Sequence, residues 1–305
     1  MAYKNARKVN LPALLRAPLV ALQWRLLLLW LVFLLLPTAV VTLPLWRALA
    51  GLLDRSVHAV AWAQHLDGLM LADVMSALAD QGAWLSGTGI LALVFALLLA
   101  PLLAGMTVAA GRVGRVLGFS QLLQSGVIEY GRMFRLMLWS LLPYAVAFGA
   151  AAAAFHAADA RAETAVLESR ADLYQHLALG ALAVLLVLAQ AIVESARAAF
   201  IADAGLRSAT RALGRGFMQL LRRPLSTLLT YLLIGLIGYG LAIVCGVWRI
   251  HTPAIGLGGF LLALLASELA VLAIGWTRVA RLFALAEVSR SLIATRRGAG
   301  LPPAL

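Results

Sequence analysis

The chain is poor in charge: only 12% of its 305 residues are Asp, Glu, Lys or Arg, whereas 63% are hydrophobic. A soluble domain carries roughly a quarter charged residues. Charge is moreover absent from blocks of about 20 residues, the length at which a helix crosses the hydrocarbon core of a bilayer. No polar stretch between these blocks is long enough to bury a core of its own. The sequence therefore excludes a soluble globular protein and predicts an integral membrane protein.

Cysteine is almost absent, and the familiar catalytic motifs are missing. Cys245 lies inside an apolar block, where it is expected to be a small buried hydrophobe, and one thiol makes neither an intramolecular disulfide nor a metal site. The sequence has no GxxxxGK[ST] phosphate loop, no HExxH zinc helix and no GxSxG nucleophile turn. We therefore expect no enzymatic activity and no cofactor. A membrane-embedded enzyme that uses scattered residues is the alternative.

Six apolar blocks predict an all-α bundle of six transmembrane helices. They cover residues 26–46, 90–110, 136–155, 177–192, 225–248 and 255–276. Glu194 and Arg197 interrupt the end of the fourth block, and we expect its helix to continue through Phe200. The first block lacks a small-residue cleavage site, so it is predicted to remain as a membrane anchor.

Positive charge marks one side of this bundle. Five Lys or Arg residues precede the first block, four follow the second, six follow the fourth and five follow the sixth, which makes 20 of the 25 in the chain. Because cytoplasmic loops carry the excess of Lys and Arg, both termini are predicted to be cytoplasmic. The Arg-, Ala- and Leu-rich composition is typical of a GC-rich bacterial genome, which favours the bacterial inner membrane. These charges lie at block ends and on no soluble fold, so nucleic acid is not expected as a partner.

Amphipathic helical patterns precede the first, third and fifth blocks, within residues 11–22, 119–134 and 206–221. Each pattern predicts an interfacial helix that then turns into the membrane. In the third, the polar face gathers four arginines that are predicted to contact anionic lipids of the cytoplasmic leaflet: Arg207, Arg211, Arg215 and Arg222. The alternative is a helix that packs on the bundle without contacting lipid specifically.

Each amphipathic stretch and the helical hairpin after it form a predicted repeat. The chain is then a single membrane domain, 1–305, with units at about 10–110, 118–200 and 206–297. The second and third units superpose at an offset of 87 residues, the separation of Tyr144 from Tyr231. On the outer side, short helices are expected in the loops, and Asp67 is predicted to cap one that ends near Gly82.

Four ionisable residues within or beside the blocks form a candidate polar site. Glu268 lies about 18 Å into the sixth block at 1.5 Å per residue, where a carboxylate must be protonated, paired or hydrated. It is either a proton- or cation-coupling site or a neutral carboxyl that bonds to a neighbouring helix. Glu194 is expected to pair with Arg197 on its own helix or with Arg278 across helices, and such interfacial pairs are mostly structural.

All five histidines fall on the predicted outer side. Asp54, His58 and His65 share one face of a possible helix, a convergence that metal ligands need. The polar face of an amphipathic helix explains the same pattern, and we expect no metal site.

An amphipathic stretch that enters a span, repeated along a six-span chain with a basic tail from Arg278 to Arg297, resembles the membrane domain attached to some bacterial glycerophosphodiester phosphodiesterases. Six-span bacterial membrane proteins of unknown function share this layout. The resemblance covers residues 118–297 and implies a membrane module. It carries no catalytic residue over, because phosphodiesterase activity belongs to a separate soluble domain that is absent here.

Together these features favour a non-catalytic inner-membrane component, an assembly, scaffold or accessory subunit of an envelope complex. Its expected partners are the lipid bilayer, anionic lipids on the cytoplasmic face and other membrane-protein subunits. A transporter or lipid-handling permease with a polar site at Glu268 is the alternative, and a membrane-embedded enzyme is the second alternative.

Overall fold

A computed structural model describes residues 11–53, 56, 68–79, 82–164, 167–253 and 256–299. These residues form nine α-helices and no strand, which confirms the predicted all-α class. The helices are α1 (Leu11–Val20), α2 (Trp24–Leu53), α3 (Gly68–Ala79), α4 (Gly82–Val113), α5 (Phe119–Ala162), α6 (Glu168–Ala202), α7 (Ala209–Arg222), α8 (Pro224–His251) and α9 (Gly256–Ala299).

Six of these helices are long and apolar enough to cross a membrane, and they coincide with the six predicted blocks. The fourth, α6, runs through Phe200 to Ala202, as expected. Several are much longer than a bilayer requires. With 44 residues, α5 measures about 66 Å, roughly twice the thickness of the hydrocarbon core. The protein is therefore a multi-pass membrane protein whose longest helices extend beyond that core.

The chain divides into two compact units, one of which is Leu28–Ala100. It contains most of α2, the short α3 and the first part of α4. α3 confirms the helix predicted in the outer loop, whereas its predicted cap, Asp67, lies outside the described residues. On α4, large apolar side chains such as Ile90 and Leu93 are exposed, as is expected of a surface that faces lipid.

The other unit joins Met1–Leu27 to Pro101–Leu305, and its core lies at the arginine-rich ends of three helices. Met106 of α4, Phe200 of α6 and Leu285 of α9 are fully buried. The first half of α9 lies outside this core, because Leu257 and Leu261 are exposed. Protein packing is thus dense at the arginine-rich ends, while the apolar surface farther along the helices is left for lipid.

The third amphipathic stretch forms α7, a separate helix with three different faces. Ser208 caps its start by accepting a hydrogen bond from the backbone N–H of Arg211, and Pro224 begins α8 only one residue after it ends. Leu220 is buried on one face, Phe217 is half exposed on a second, and Arg211 is exposed on a third. The helix therefore packs on the bundle with one face and leaves another apolar strip uncovered.

The second amphipathic stretch does not turn before it enters the membrane, contrary to the prediction. α5 is one continuous helix from Phe119 to Ala162. The third copy ends at Arg223–Pro224, where proline supplies no backbone N–H and clashes with a continuing helix. No proline occurs between Phe119 and Pro143, so nothing interrupts the hydrogen-bond ladder there.

The three amphipathic segments nevertheless pack on helices α4, α6 and α9 in comparable ways. On α9, the indole N–H of Trp276 donates to the carbonyl of Pro18 in α1 at 2.9 Å. A Cβ at Gly126 of α5 would lie 3.2 Å from the carbonyl oxygen of Leu102 in α4. In α7, a Cβ at Gly216 would overlap the carbonyl of Ile192 in α6. The last two contacts recur at a separation of 90 residues, from Gly126 to Gly216 and from Leu102 to Ile192, which is three residues more than the offset of the predicted repeat.

Candidate functional site: a buried ion pair between α6 and α9

The most deeply buried ion pair in the described part of the chain joins α6 to α9. Glu194 lies near the end of α6 and Arg281 in the second half of α9, and the arginine Nη2 is 3.1 Å from the glutamate Oε1. Their side chains are only 3% and 2% exposed, respectively. Removing two charges from water costs several kcal/mol per ion, so such a pair persists only where its surroundings hold it in place.

Two tyrosines of α8 enclose the arginine. The Arg281 guanidinium lies 4.6 Å from the ring centre of Tyr231 and 5.8 Å from that of Tyr239. A desolvated cation–π contact of this kind contributes about 2 kcal/mol. α8 can approach this closely because it carries glycine where it meets α9: a Cβ at Gly238 would lie 2.7 Å from the Cβ of Thr277.

A chain of hydrogen bonds continues from the glutamate to α5. The Gln190 amide donates to Glu194 Oε1 at 3.2 Å, and the Tyr144 hydroxyl donates to the amide oxygen of Gln190. Gln190 and Glu194 lie one turn apart on α6, so both face the same side of that helix. The network Tyr144–Gln190–Glu194–Arg281, together with the tyrosines of α8, therefore connects four helices.

Positive charge exceeds negative charge around this network. Arg197 and Arg278 lie close enough to Glu194 for their charges to act on the carboxylate, in addition to Arg281. Glu194 Oε2 and Arg281 Nε are buried and have no hydrogen-bond partner among the described residues. The arrangement can hold helices together electrostatically, but it contains no nucleophile with an adjacent base, as covalent catalysis would require.

The sequence identified one half of this site. The sequence predicts that Glu194 pairs with Arg197 or with Arg278. In the structure its ion-pair partner is Arg281, which was not predicted. A signal was available, because Arg281 follows Glu194 by 87 residues, the offset that also relates Tyr144 to Tyr231. The second and third predicted units thus each contribute one tyrosine and one charge of the pair to a single cluster.

Glu268 does not join this network. It lies 13 residues before Arg281 on α9, about 20 Å away along the helix axis at 1.5 Å per residue. The residue is partly exposed, and its Oε2 is buried without a hydrogen-bond partner in the described part of the chain. The two carboxylates predicted as polar sites are therefore separate features.

The four arginines predicted to contact lipid do not behave alike. Arg215 pairs with Asp203 at 2.7 Å, which anchors α7 to the loop that precedes it. Arg207, Arg211 and Arg222 are exposed. Three of these four arginine side chains therefore lie at the surface of the protein.

A second cluster of charges lies where α4 and α6 end. The carboxylate of Glu129, in α5, is 2.8 Å from Arg112 and 3.3 Å from Arg132. Arg112 also donates two hydrogen bonds, at 3.3 and 3.0 Å, to the carbonyl of Phe200 in the last turn of α6. The carbonyls of that last turn have no partner within the helix, so Arg112 satisfies one of them.

The described residues contain no group of three or more His, Cys, Asp or Glu side chains that could hold a metal ion. Asp54, His58 and His65, whose shared face was considered as a metal site, lie outside the described residues. Comparison with protein-family models, with curated proteins and with solved structures gave no match.

Proposed function

We propose that this protein is a non-catalytic component of the bacterial inner membrane that acts as an assembly, scaffold or accessory subunit of an envelope complex. Both termini and the packed, arginine-rich helix ends lie in the cytoplasm in this proposal. The distribution of Lys and Arg along the chain supports that orientation.

The observation that carries the proposal is the enclosure of the Glu194–Arg281 pair. A carboxylate that binds a substrate or a coupling ion has to exchange its partner in every cycle. Here both side chains are almost fully buried, and groups from four helices surround them. Such a pair fixes the positions of α6, α8 and α9, which suits a module that presents a fixed surface to other subunits.

Exposed arginines supply the surface that a partner would contact. Arg211 and Arg222 lie on α7, away from its buried face. A rim of exposed arginines attracts acidic surfaces of protein or lipid and accelerates their encounter. The resemblance to membrane domains attached to phosphodiesterases agrees with such a role, since those domains are joined to an activity that lies elsewhere.

Copurification from native membranes in mild detergent tests this proposal. We expect the tagged full-length chain to retain a partner in constant ratio and the double variant Arg211→Glu/Arg222→Glu to lose most of it. Arg249→Glu is the matched control, because Arg249 is exposed at the opposite end of α8. A wild-type chain that emerges alone would contradict the proposal.

A transporter or lipid-handling permease is the second candidate, and the state of Glu268 favours it. One oxygen of this intramembrane carboxylate is buried without a partner among the described residues, although such groups normally pair or line a pathway. If Glu268 couples transport, Glu268→Gln abolishes activity in a transport or complementation assay. Ser267→Ala, one residue away, is the control that keeps the carboxylate. Equal activity in all three chains would exclude the coupling role.

A further inference from the structure

A cavity of about 380 Å³ lies between α1, the end of α4 and the second half of α9. Its charged lining consists of Arg16, Arg112, Arg290 and Glu287. Apolar side chains form the rest of the wall, among them Ala17 and Phe283. A space with an apolar wall and several guanidinium groups suits an anion that carries an apolar portion.

Two of the arginines are fixed in place by helix ends. Arg112 bonds to the carbonyl of Phe200 and to Glu129, as described above. Arg290 pairs with Glu287 and donates to the carbonyl of Gly111 in the last turn of α4 at 3.4 Å. Guanidinium groups held in this way lose little further conformational entropy when an anion binds.

Arg16 is the third arginine, and it differs from the other two. It is exposed on α1, and no hydrogen bond or ion pair joins it to another described residue. A guanidinium group carries five N–H donors, which suits a ligand with several acceptor oxygens. The lining carries three positive charges and one negative charge. Glu129 does not remove the surplus, because it is shared between Arg112 and Arg132.

We propose that this cavity binds a phosphate group, carried either by an anionic phospholipid or by a soluble phosphate ester. Guanidinium matches phosphate in geometry and donates paired, charge-assisted hydrogen bonds to it. The neighbouring surface of α1 exposes Leu15 and Leu19 at 73% and 68%, which suits a helix at the membrane surface, where lipid phosphates lie. The site involves none of the α7 arginines and is independent of the function proposed above.

Thermal unfolding of the full-length chain in neutral detergent tests the site. Short-chain phosphatidylglycerol, short-chain phosphatidylcholine and glycerol phosphate are each titrated, and the dependence of Tm on ligand concentration gives an apparent Kd. We expect phosphatidylglycerol to raise the Tm and Arg16→Gln to weaken its apparent Kd roughly tenfold, as the loss of one charged hydrogen-bonding partner predicts. Arg249→Gln removes the same charge at an exposed position outside the cavity and is expected to change that Kd by no more than about twofold.

The three ligands identify the source of the phosphate. A response to phosphatidylglycerol and to glycerol phosphate, both weakened by Arg16→Gln, supports a site for the phosphate group itself. A response to phosphatidylglycerol alone, weakened in the same way, supports a lipid headgroup site. Equal effects of Arg16→Gln and Arg249→Gln, or no response to either anionic ligand, would overturn the proposal.

Discussion

At the scale of single residues, Glu194 and Arg281 form the most deeply buried ion pair among the described residues. A buried ion pair often adds little stability over an apolar replacement, because desolvation offsets the Coulomb attraction. Substitution of only one of the two residues nevertheless destabilises the protein strongly, because the charge of the other residue remains buried without a counter-charge. Tyr231, Tyr239 and Gln190 lower the cost of keeping both charges inside the protein.

Glu194→Gln is therefore expected to destabilise the protein by about 3 kcal/mol, because it leaves the Arg281 charge without its counter-charge. Arg281→Met should have a similar effect. The double variant should lose much less than the sum of the two, since it contains no unpaired buried charge. Unfolding of the purified chain in a denaturing detergent measures all three.

Glu287→Gln provides the matched control. Glu287 pairs with Arg290 on one helix, but these side chains are 24% and 41% exposed, so the loss should stay below about 1 kcal/mol. Equal stability of wild type and Glu194→Gln would show that the buried ion pair does not stabilise the packing of α6 against α9.

The polar site could be predicted only in part. Glu194 stands out in the sequence because it interrupts an apolar block, and Arg278 because it follows one. Arg281 lies beyond the end of the predicted sixth block and resembles an ordinary cytoplasmic arginine there. Only the tertiary packing, with α9 extending to Ala299 against α6 and α8, brings its side chain into the core.

At the scale of helices, small residues determine how closely the amphipathic segments approach the bundle. Gly216 of α7 meets the backbone of α6, where a Cβ would lie 2.7 Å from the amide nitrogen of Ala196. At Gly214, two residues earlier on the same helix, an added Cβ would lie more than 4 Å from every described atom beyond its own stretch of α7. Alanine substitutions at these two glycines therefore distinguish the effect of helix packing from the effect of helix propensity.

Gly216→Ala should destabilise the protein by about 1–3 kcal/mol, because the backbones of α6 and α7 must move apart to accept a methyl group. Gly214→Ala should be neutral or stabilise by up to about 1 kcal/mol, since alanine is the better helix former. Thermal unfolding compares the two variants with wild type. Similar losses in both would mean that α7 does not pack on α6 as described.

The sequence predicts where the helices lie. It predicts where a helix ends only if a helix-breaking residue such as proline marks that end. Apolar blocks of spanning length located all six long helices. Pro224 marks the break between α7 and α8, but nothing in the second amphipathic stretch distinguishes an interfacial helix from the first turns of α5. An amphipathic pattern indicates which face of a helix is buried. It does not indicate whether the helix axis bends between the amphipathic stretch and the membrane-spanning segment.

At the scale of the whole molecule, apolar helices lie in lipid, and the arginine-rich helix ends mark the predicted cytoplasmic side. The predicted all-α bundle with six spans agrees with the described helices. Orientation is a prediction from charge alone, because a helix can cross the bilayer in either direction with the same packing. The single predicted domain and its repeat units also remain predictions.

Cysteine labelling from the two sides of the membrane tests this claim most directly. In a Cys245→Ala background, Asp73→Cys places a thiol on α3, and Arg211→Cys places one on the exposed face of α7. A membrane-impermeant maleimide should label the cysteine at 73 only in intact spheroplasts and the cysteine at 211 only in inverted vesicles. Labelling of both positions from the same side would contradict the topology and the account built on it.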